Sequence, residues 1–434
     1  LCAPDPSCVN EDPVRLVPLL IPIQKLARLL REQQAGGGAP PDQPPEPNLV
    51  LFYIQREFAD PGTRDMLIQA FEIRALVVML DGVDEAANLK QAIEEFVTKT
   101  LVPMGVPLVL TSRPEGIRKR LYARDFVIMH LQPLSDEEQH QIAQKQLRDN
   151  PVFEHLVACS VLRKQLGDRL AGDAGDLRLE PFRDHRSFFR SRLRVGEGAA
   201  ADADFDKALD ARLRVFDEIS AVPVLLSVLV CVLSDGGDEL PRDTFELYEM
   251  GVRATLRRHF GAAAAAADPE QRREAEQRVE TATEMLQAIG TANHRAKRRT
   301  FQPADVRKAL ADRPDLQALW AELLDQGGVP VVKILALGDT GEFQFRHLSF
   351  QEFLFGRDLC AAAAGGTTPA QAFWTAGEGL SSRLNDPFYR NALALGRGHL
   401  GRALSSQCAA WSFDCQPRLS PLGVAGLRHL LAGA

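Results

Sequence analysis

The sequence predicts an α/β parallel-sheet domain followed by a helical domain, a winged-helix-like domain and further helices. Three observations carry that prediction. Residues Leu76 to Ala86 read L-V-V-M-L-D-G-V-D-E-A, five apolar residues running straight into an acid. Val106 to Leu110 (V-P-L-V-L) is a second apolar run, ending in Thr111-Ser112-Arg113-Pro114. Between them Leu89, Ile93, Phe96 and Val97 have helical spacing. Unbroken apolar runs suit strands buried on both faces. Strand, helix and strand at this length form a βαβ unit with a right-handed crossover.

In such a unit both strands end on the same edge, where open α/β sheets bind their ligands. Asp81 then stands where a carboxylate can hold Mg²⁺, usually through water, and Asp84 or Glu85 can orient or activate an attacking water. The alternative is a buried strand closed by an Asp-Gly turn. Arg113 falls near Asp81, where a guanidinium can read a terminal phosphate; pairing with a surface carboxylate is the alternative. Pro114 is expected to stop the second strand.

Composition bounds the class. A chain of 434 residues has room for two to four domains, and 45% hydrophobic residues supply cores without metal or disulfide staples. A net charge of −7 and a pI near 5.8 argue against a general nucleic-acid surface. The basic run His294 to Arg299 is expected to be a solvated helix end. Seven cysteines, odd in number and without a C-x-x-C pair, fit reduced thiols in a cytoplasmic protein rather than a disulfide framework or zinc site. Ala221 to Leu233 is too short to cross a bilayer and is expected to be a buried helix, so no membrane span is predicted. The chain opens at Leu1 without an initiator Met or a signal-peptide pattern, and is expected to be a fragment.

Punctuation sets the organisation. Leu16 to Ile23 reads as a proline-containing strand and Gln24 to Gln33 as a helix, while the Gly- and Pro-rich Ala35 to Pro47 reads as a loop. Phe126 to Leu131 is a further strand candidate. Ser135 with Glu138 three residues on is a capping box, opening a nearly continuous helical region to about residue 330. Gly172 to Asp206, rich in charge, is expected to be an irregular insertion within it. Val329 to Leu337 and Glu342 to Phe345, joined by Gly338-Asp339-Thr340-Gly341, read as a hairpin leading into a helix. The expected domains are 1–133, 134–239, 240–360 and 361–434.

Taken in order, these features resemble the NACHT family of STAND signalling NTPases, to which animal NOD-like receptors belong. Val17 to Ile23 is similar to the strand after that family's P-loop helix, and Leu76 to Glu85 resembles its Walker B. Val109 to Pro114 resembles its first sensor, and Leu131 to Glu138 the entry to its helical domain. Ala221 to Leu229, with Pro223 before a Leu-rich helix, is similar to the Pro motif that packs against adenine. Leu240-Pro241 with Leu247-Tyr248 resembles the winged-helix opening, and Phe345 to Phe353 resembles the signature F-x-H-x-S-F-Q-E-F. The resemblance covers about residues 14 to 360.

The resemblance implies ATP/ADP and Mg²⁺ as cofactors, slow regulatory ATP hydrolysis, and ADP bridging the α/β and winged-helix domains in a closed state. It also implies self-association on activation, and signalling partners engaged by domains outside this chain. His347 is implied as a contact to the β-phosphate, its imidazole donating an N–H; capping the helix after the hairpin is the alternative. Pro223 is implied beside adenine, or else is a plain first-turn proline. Phe350 and Phe353 are expected in the core. One departure stands out: no G-x-x-x-x-G-K-[ST] phosphate cradle occurs in the sequence. A P-loop upstream of Leu1 accounts for this, with the 434 residues alone inactive; a degenerate, non-hydrolysing interaction scaffold is the alternative.

Overall fold

The computed structural model describes residues 16–37, 48–113, 117–147, 150–166, 179–192, 199–235, 240–261, 269–336, 341–361, 368–375 and 383–396, with 399, 419–420, 424 and 428. They are mostly helical. They divide into one unit of residues 1–130 with Lys297–Arg299 and a second holding the rest.

The first unit is built on a three-stranded parallel sheet with β2 (Leu76–Asp81) between β1 (Val17–Pro22) and β3 (Leu108–Leu110). The register pairs Val17 with Leu76 through Pro22 with Asp81, and Val78 with Leu108 through Leu80 with Leu110. Leu76, Val78 and Leu80 are buried while Val77 and Met79 are half-buried, so one face is fully covered and the burial expected on both faces is only partial. Pro18 and Pro22 lie on an edge strand, where a missing N–H costs least. Helix α1 (Ile23–Gly37) runs three residues into the stretch read as a loop; residues 38–47 lie outside the described residues, as does Pro114. A glycine costs a helix interior only about 1 kcal/mol, which an established helix absorbs. Helices α2 (Leu49–Glu57) and α3 (Pro61–Glu72) follow, opened by the side chains of Asn48 and Asp60.

Beyond β2, a 3₁₀ segment (Val83–Leu89) leads into α4 (Lys90–Phe96), which continues as a π-helical stretch to Leu101. Ile93, Phe96, Val97 and Leu101 are all buried, so the crossover helix is where its periodicity put it. A short α5 (Lys119–Tyr122) follows β3. Phe126 to Leu131, expected as a strand, pairs with no strand among the described residues, and Val127, Met129 and Leu131 are more than 80% exposed. An apolar pattern supplies one half of a strand; the other half is a neighbour for its backbone groups.

In the second unit α6 (Asp136–Leu147) starts at the predicted capping box. The Ser135 backbone N–H and hydroxyl donate to Glu138 Oε2 at 2.8 and 2.9 Å, and the Glu138 N–H donates to Ser135 Oγ at 3.3 Å. Replacing Ser135 with Ala should cost about 1 kcal/mol, read as a small fall in melting temperature; an unchanged melt would mean that water replaces the cap. Helix α7 (Pro151–Leu166) follows. The expected irregular insertion is helical where it is described, in α8 (Arg183–Arg192) and the start of α9 (Ala199–Ser220). Buried Phe182, Phe189 and Phe205 and the pairs Arg186–Asp206 and Arg190–Asp202 hold it, so its charges are cross-links rather than a solvated loop.

Helix α10 (Pro223–Ser234) is the expected buried helix, with Leu226, Val228, Leu229, Val232 and Leu233 in the core. No described helix is long and apolar enough to cross a membrane. Helices α11 (Thr244–His259) and α12 (Pro269–Arg295) then precede a small antiparallel sheet in the order β4 (Thr300–Phe301), β6 (Glu342–Phe345), β5 (Val332–Ala336). Strands β5 and β6 are the predicted hairpin, although its turn at 337–340 lies outside the described residues. Helices α13 (Pro303–Ala309) and α14 (Pro314–Asp325) lie between β4 and β5 in sequence. Helix α15 (Leu348–Cys360) follows β6, and α16 (Pro369–Thr375) and α17 (Pro387–Leu395) come last. Phe353 is fully buried, stacked on Tyr248 and edge-on to Phe245, and Phe350 packs against the same core. The basic run departs from expectation at His294, which is fully buried among the rings of Phe355, Phe388 and Tyr389.

Candidate functional site

The carboxyl edge of the parallel sheet gathers the acidic residues. Asp81 is the last residue of β2 and is exposed. Its Oδ1 accepts from the Thr111 hydroxyl at 2.5 Å, and Thr111 Oγ accepts from the Gly82 N–H at 2.9 Å. The Val83 N–H donates to Thr111 O at 2.9 Å, and the Thr111 N–H to Leu80 O at 3.0 Å. The ends of β2 and β3 are thus laced together by one threonine.

Gly82 turns the chain. Its φ of 79° lies in the left-handed region, and an added Cβ would stand 3.0 Å from Glu85 Oε2. A side chain there would be strained and would push Glu85 away, so the glycine serves both turn and acid.

The 3₁₀ segment then presents two acids in different settings. Asp84, with a side chain only 11% exposed, accepts the Arg113 backbone N–H at 3.2 Å and lies 3.8 Å from its Nε. Arg113 therefore meets a carboxylate, the alternative weighed for it, but that carboxylate belongs to the acidic edge itself. Glu85 is partly buried and accepts a hydrogen bond from the Gln24 amide, near the start of α1. Burial pushes its carboxyl above the ordinary carboxylate range; Arg299 and the Gln24 amide pull it partly back, and Asp84 adds to the rise.

That shift has a consequence for stability. A raised carboxylate pKa means that the folded protein holds its proton in a window where the unfolded chain has lost it. The contribution is present below the unfolded pKa and is lost as pH rises through the folded one. The parent should lose stability relative to Glu85→Gln as pH climbs through that window. Parallel melting curves for the two proteins across acid to neutral pH would refute it.

Among the described residues no group of three or more His, Cys, Asp or Glu converges to hold a metal ion. A cation at Asp81 would take one carboxylate and draw its other ligands from water and phosphate, the usual habit of Mg²⁺.

The two remaining candidates lie in the second unit. Pro223 is exposed in the first turn of α10, the plain first-turn position. His347 is the N-cap of α15, its Nδ1 accepting the Ser349 N–H at 3.2 Å, so the capping alternative is realised by one ring nitrogen.

Gln24 and Thr111 were not singled out from the sequence, although each directly follows the apolar run of a strand. No family model and no curated protein matches this chain.

Proposed function

We propose that the chain is part of a nucleotide-controlled signalling switch of the NACHT class of STAND NTPases. ATP and ADP with Mg²⁺ are its ligands, hydrolysis is slow and regulatory, and exchange of ADP for ATP promotes self-association in the cytoplasm. The observation that carries this reading is the acidic edge of the parallel sheet. Asp81 ends the central strand, Asp84 joins it to Arg113 on the neighbouring strand, and Glu85 sits in a partly buried setting of raised basicity.

Each residue then has a part. Asp81 holds Mg²⁺, Glu85 takes a proton from the attacking water, and Asp84 keeps Arg113 turned toward the phosphates. His347 donates to the terminal phosphate of ADP, and Pro223 packs beside the base. Mg²⁺ supplies neutralisation of phosphate charge. The antiparallel sheet β4–β6–β5 with helices α11 to α14 serves as the winged-helix part.

The absence of a G-x-x-x-x-G-K-[ST] cradle from these residues favours a second reading, a non-hydrolysing scaffold for protein interaction. Calorimetry with Mg-ATP and with ADP on the full-length protein decides between them. The switch predicts saturable binding that weakens in Asp81→Asn only when Mg²⁺ is present. No binding of either nucleotide by the full-length protein would establish the scaffold. The 434 residues alone should bind weakly, since three lost charge-assisted hydrogen bonds amount to roughly a thousandfold or more in affinity.

A further inference from the structure

Thr111 makes a set of hydrogen bonds that fixes where its proton goes. Its backbone is held from both sides: the Thr111 N–H donates to Leu80 O at 3.0 Å, and Thr111 O accepts the Val83 N–H at 2.9 Å. The α-carbon that carries the side chain is therefore tied to the end of β2, and a β-branched residue has few χ1 wells to choose from. At the side chain, the Gly82 N–H donates to Thr111 Oγ at 2.9 Å, while Oγ stands 2.5 Å from Asp81 Oδ1. An amide N–H accepts nothing and an ionised carboxylate donates nothing, so the hydroxyl gives its one proton to Asp81.

One oxygen of Asp81 is thereby committed. The carboxylate is exposed and accepts no other hydrogen bond among the described residues, which leaves Oδ2 for a cation or for water bound to one. Mg²⁺ and Ca²⁺ use a carboxylate differently. Mg²⁺ demands near-octahedral geometry and keeps several waters, and the two oxygens of one carboxylate are too close together to fill two of its corners. Ca²⁺ takes about six to eight oxygens in a looser shell and readily accepts both from one carboxylate.

We propose that Thr111 is a positioning and specificity-determining residue: by holding Asp81 Oδ1 it makes Asp81 a one-oxygen ligand, and so favours Mg²⁺ over Ca²⁺ at the acidic edge. The proposal rests on Asp81 being the cation's carboxylate in the switch. It gives the hydroxyl a purpose that joining β2 to β3 does not. The backbone bonds of Leu80, Thr111 and Val83 already join those strand ends without it.

The test is calorimetry of ADP on the full-length protein with Mg²⁺, with Ca²⁺ and with neither. The parent should bind ADP more tightly with Mg²⁺ than with Ca²⁺; a parent without that preference would overturn the proposal. Thr111→Val keeps the shape and deletes the hydroxyl. Its preference for Mg²⁺ should fall about threefold to tenfold, the size of one hydrogen bond, with the metal-free affinity unchanged. Thr111→Ser, which restores the hydroxyl, should recover most of the preference. Thr111→Ala gives a second hydroxyl deletion should the valine variant not fold. A purely structural Thr111 would instead lower the melting temperature and leave the preference alone.

Asp81→Asn separates the role of Thr111 from the cation site beneath it. If that variant loses the metal dependence of ADP binding while Thr111→Val keeps the parent's preference, the cation site stands and the positioning role is overturned. If Asp81→Asn leaves the metal dependence intact, Asp81 is not the cation's carboxylate, and that part of the switch falls together with the proposal.

Discussion

Glu85→Gln is expected to lower ATP turnover of the full-length protein by about 10²–10⁴-fold, the usual contribution of a general base, with nucleotide affinity unchanged. The two acids of the 3₁₀ segment are adjacent in sequence but not equivalent. Asp84 is committed to the Arg113 backbone and lies beside its guanidinium. A carboxylate so engaged is placed to orient Arg113. Glu85 accepts an amide on Oε2, and burial raises its basicity. A base raised toward neutral pH takes a proton from water more readily.

Glutamine is close to isosteric at this position and can still accept from the Gln24 amide, so Glu85→Gln tests the proton transfer rather than the fold. Asp84→Asn should have the smaller effect, about tenfold to a hundredfold, by loosening a hydrogen bond to a charged group. The double variant should be inactive yet still bind nucleotide. Turnover assays beside binding isotherms separate these outcomes, and full activity in the double variant would show that the acids do not act on water.

What could be read from the sequence follows a physical line. Strands β1, β2 and β3 were legible because strands of a parallel sheet are apolar throughout. The capping box at Ser135 was legible because both its hydrogen bonds are local. Features that depend on distant partners were not. Phe126 to Leu131 has the composition of a strand but no partner strand among the described residues. Arg183 to Arg192 looks like a solvated segment until Asp202 and Asp206 are placed opposite Arg190 and Arg186. His294 sits in a basic run in sequence and in an aromatic cage in space.

The same division runs through the candidate site. Asp81, Asp84, Glu85 and Arg113 were legible because the ends of parallel strands share an edge. Thr111 and Gln24 were not, since a threonine after one strand and a glutamine after another acquire meaning only in the β1–β2–β3 register.

Replacing His347 should release ADP from the full-length protein, and the structure dictates which replacement is informative. His347→Leu removes two things at once. It deletes the Nδ1 acceptor that caps α15, at a cost of about 1 kcal/mol of stability. It also deletes the ring N–H proposed to meet the phosphate, a contact worth about 1.5–3 kcal/mol, so the closed-to-open ratio should fall roughly tenfold to a hundredfold. Faster ADP release in that variant therefore mixes a loosened helix with a lost contact. His347→Asn separates them. Asparagine is among the best N-cap residues, and its carbonyl oxygen can accept the Ser349 N–H in place of Nδ1. Its side chain is too short to reach where Nε2 stood. His347→Asn should melt close to the parent yet release ADP about as fast as His347→Leu, and should self-associate more readily at equal concentration. Shifting such a switch from 1:99 to 99:1 takes about 5.5 kcal/mol, more than one contact supplies, so the variant should be sensitised rather than fully open. If His347→Asn restores both the melting temperature and the slow release of ADP, the ring is a cap and nothing more.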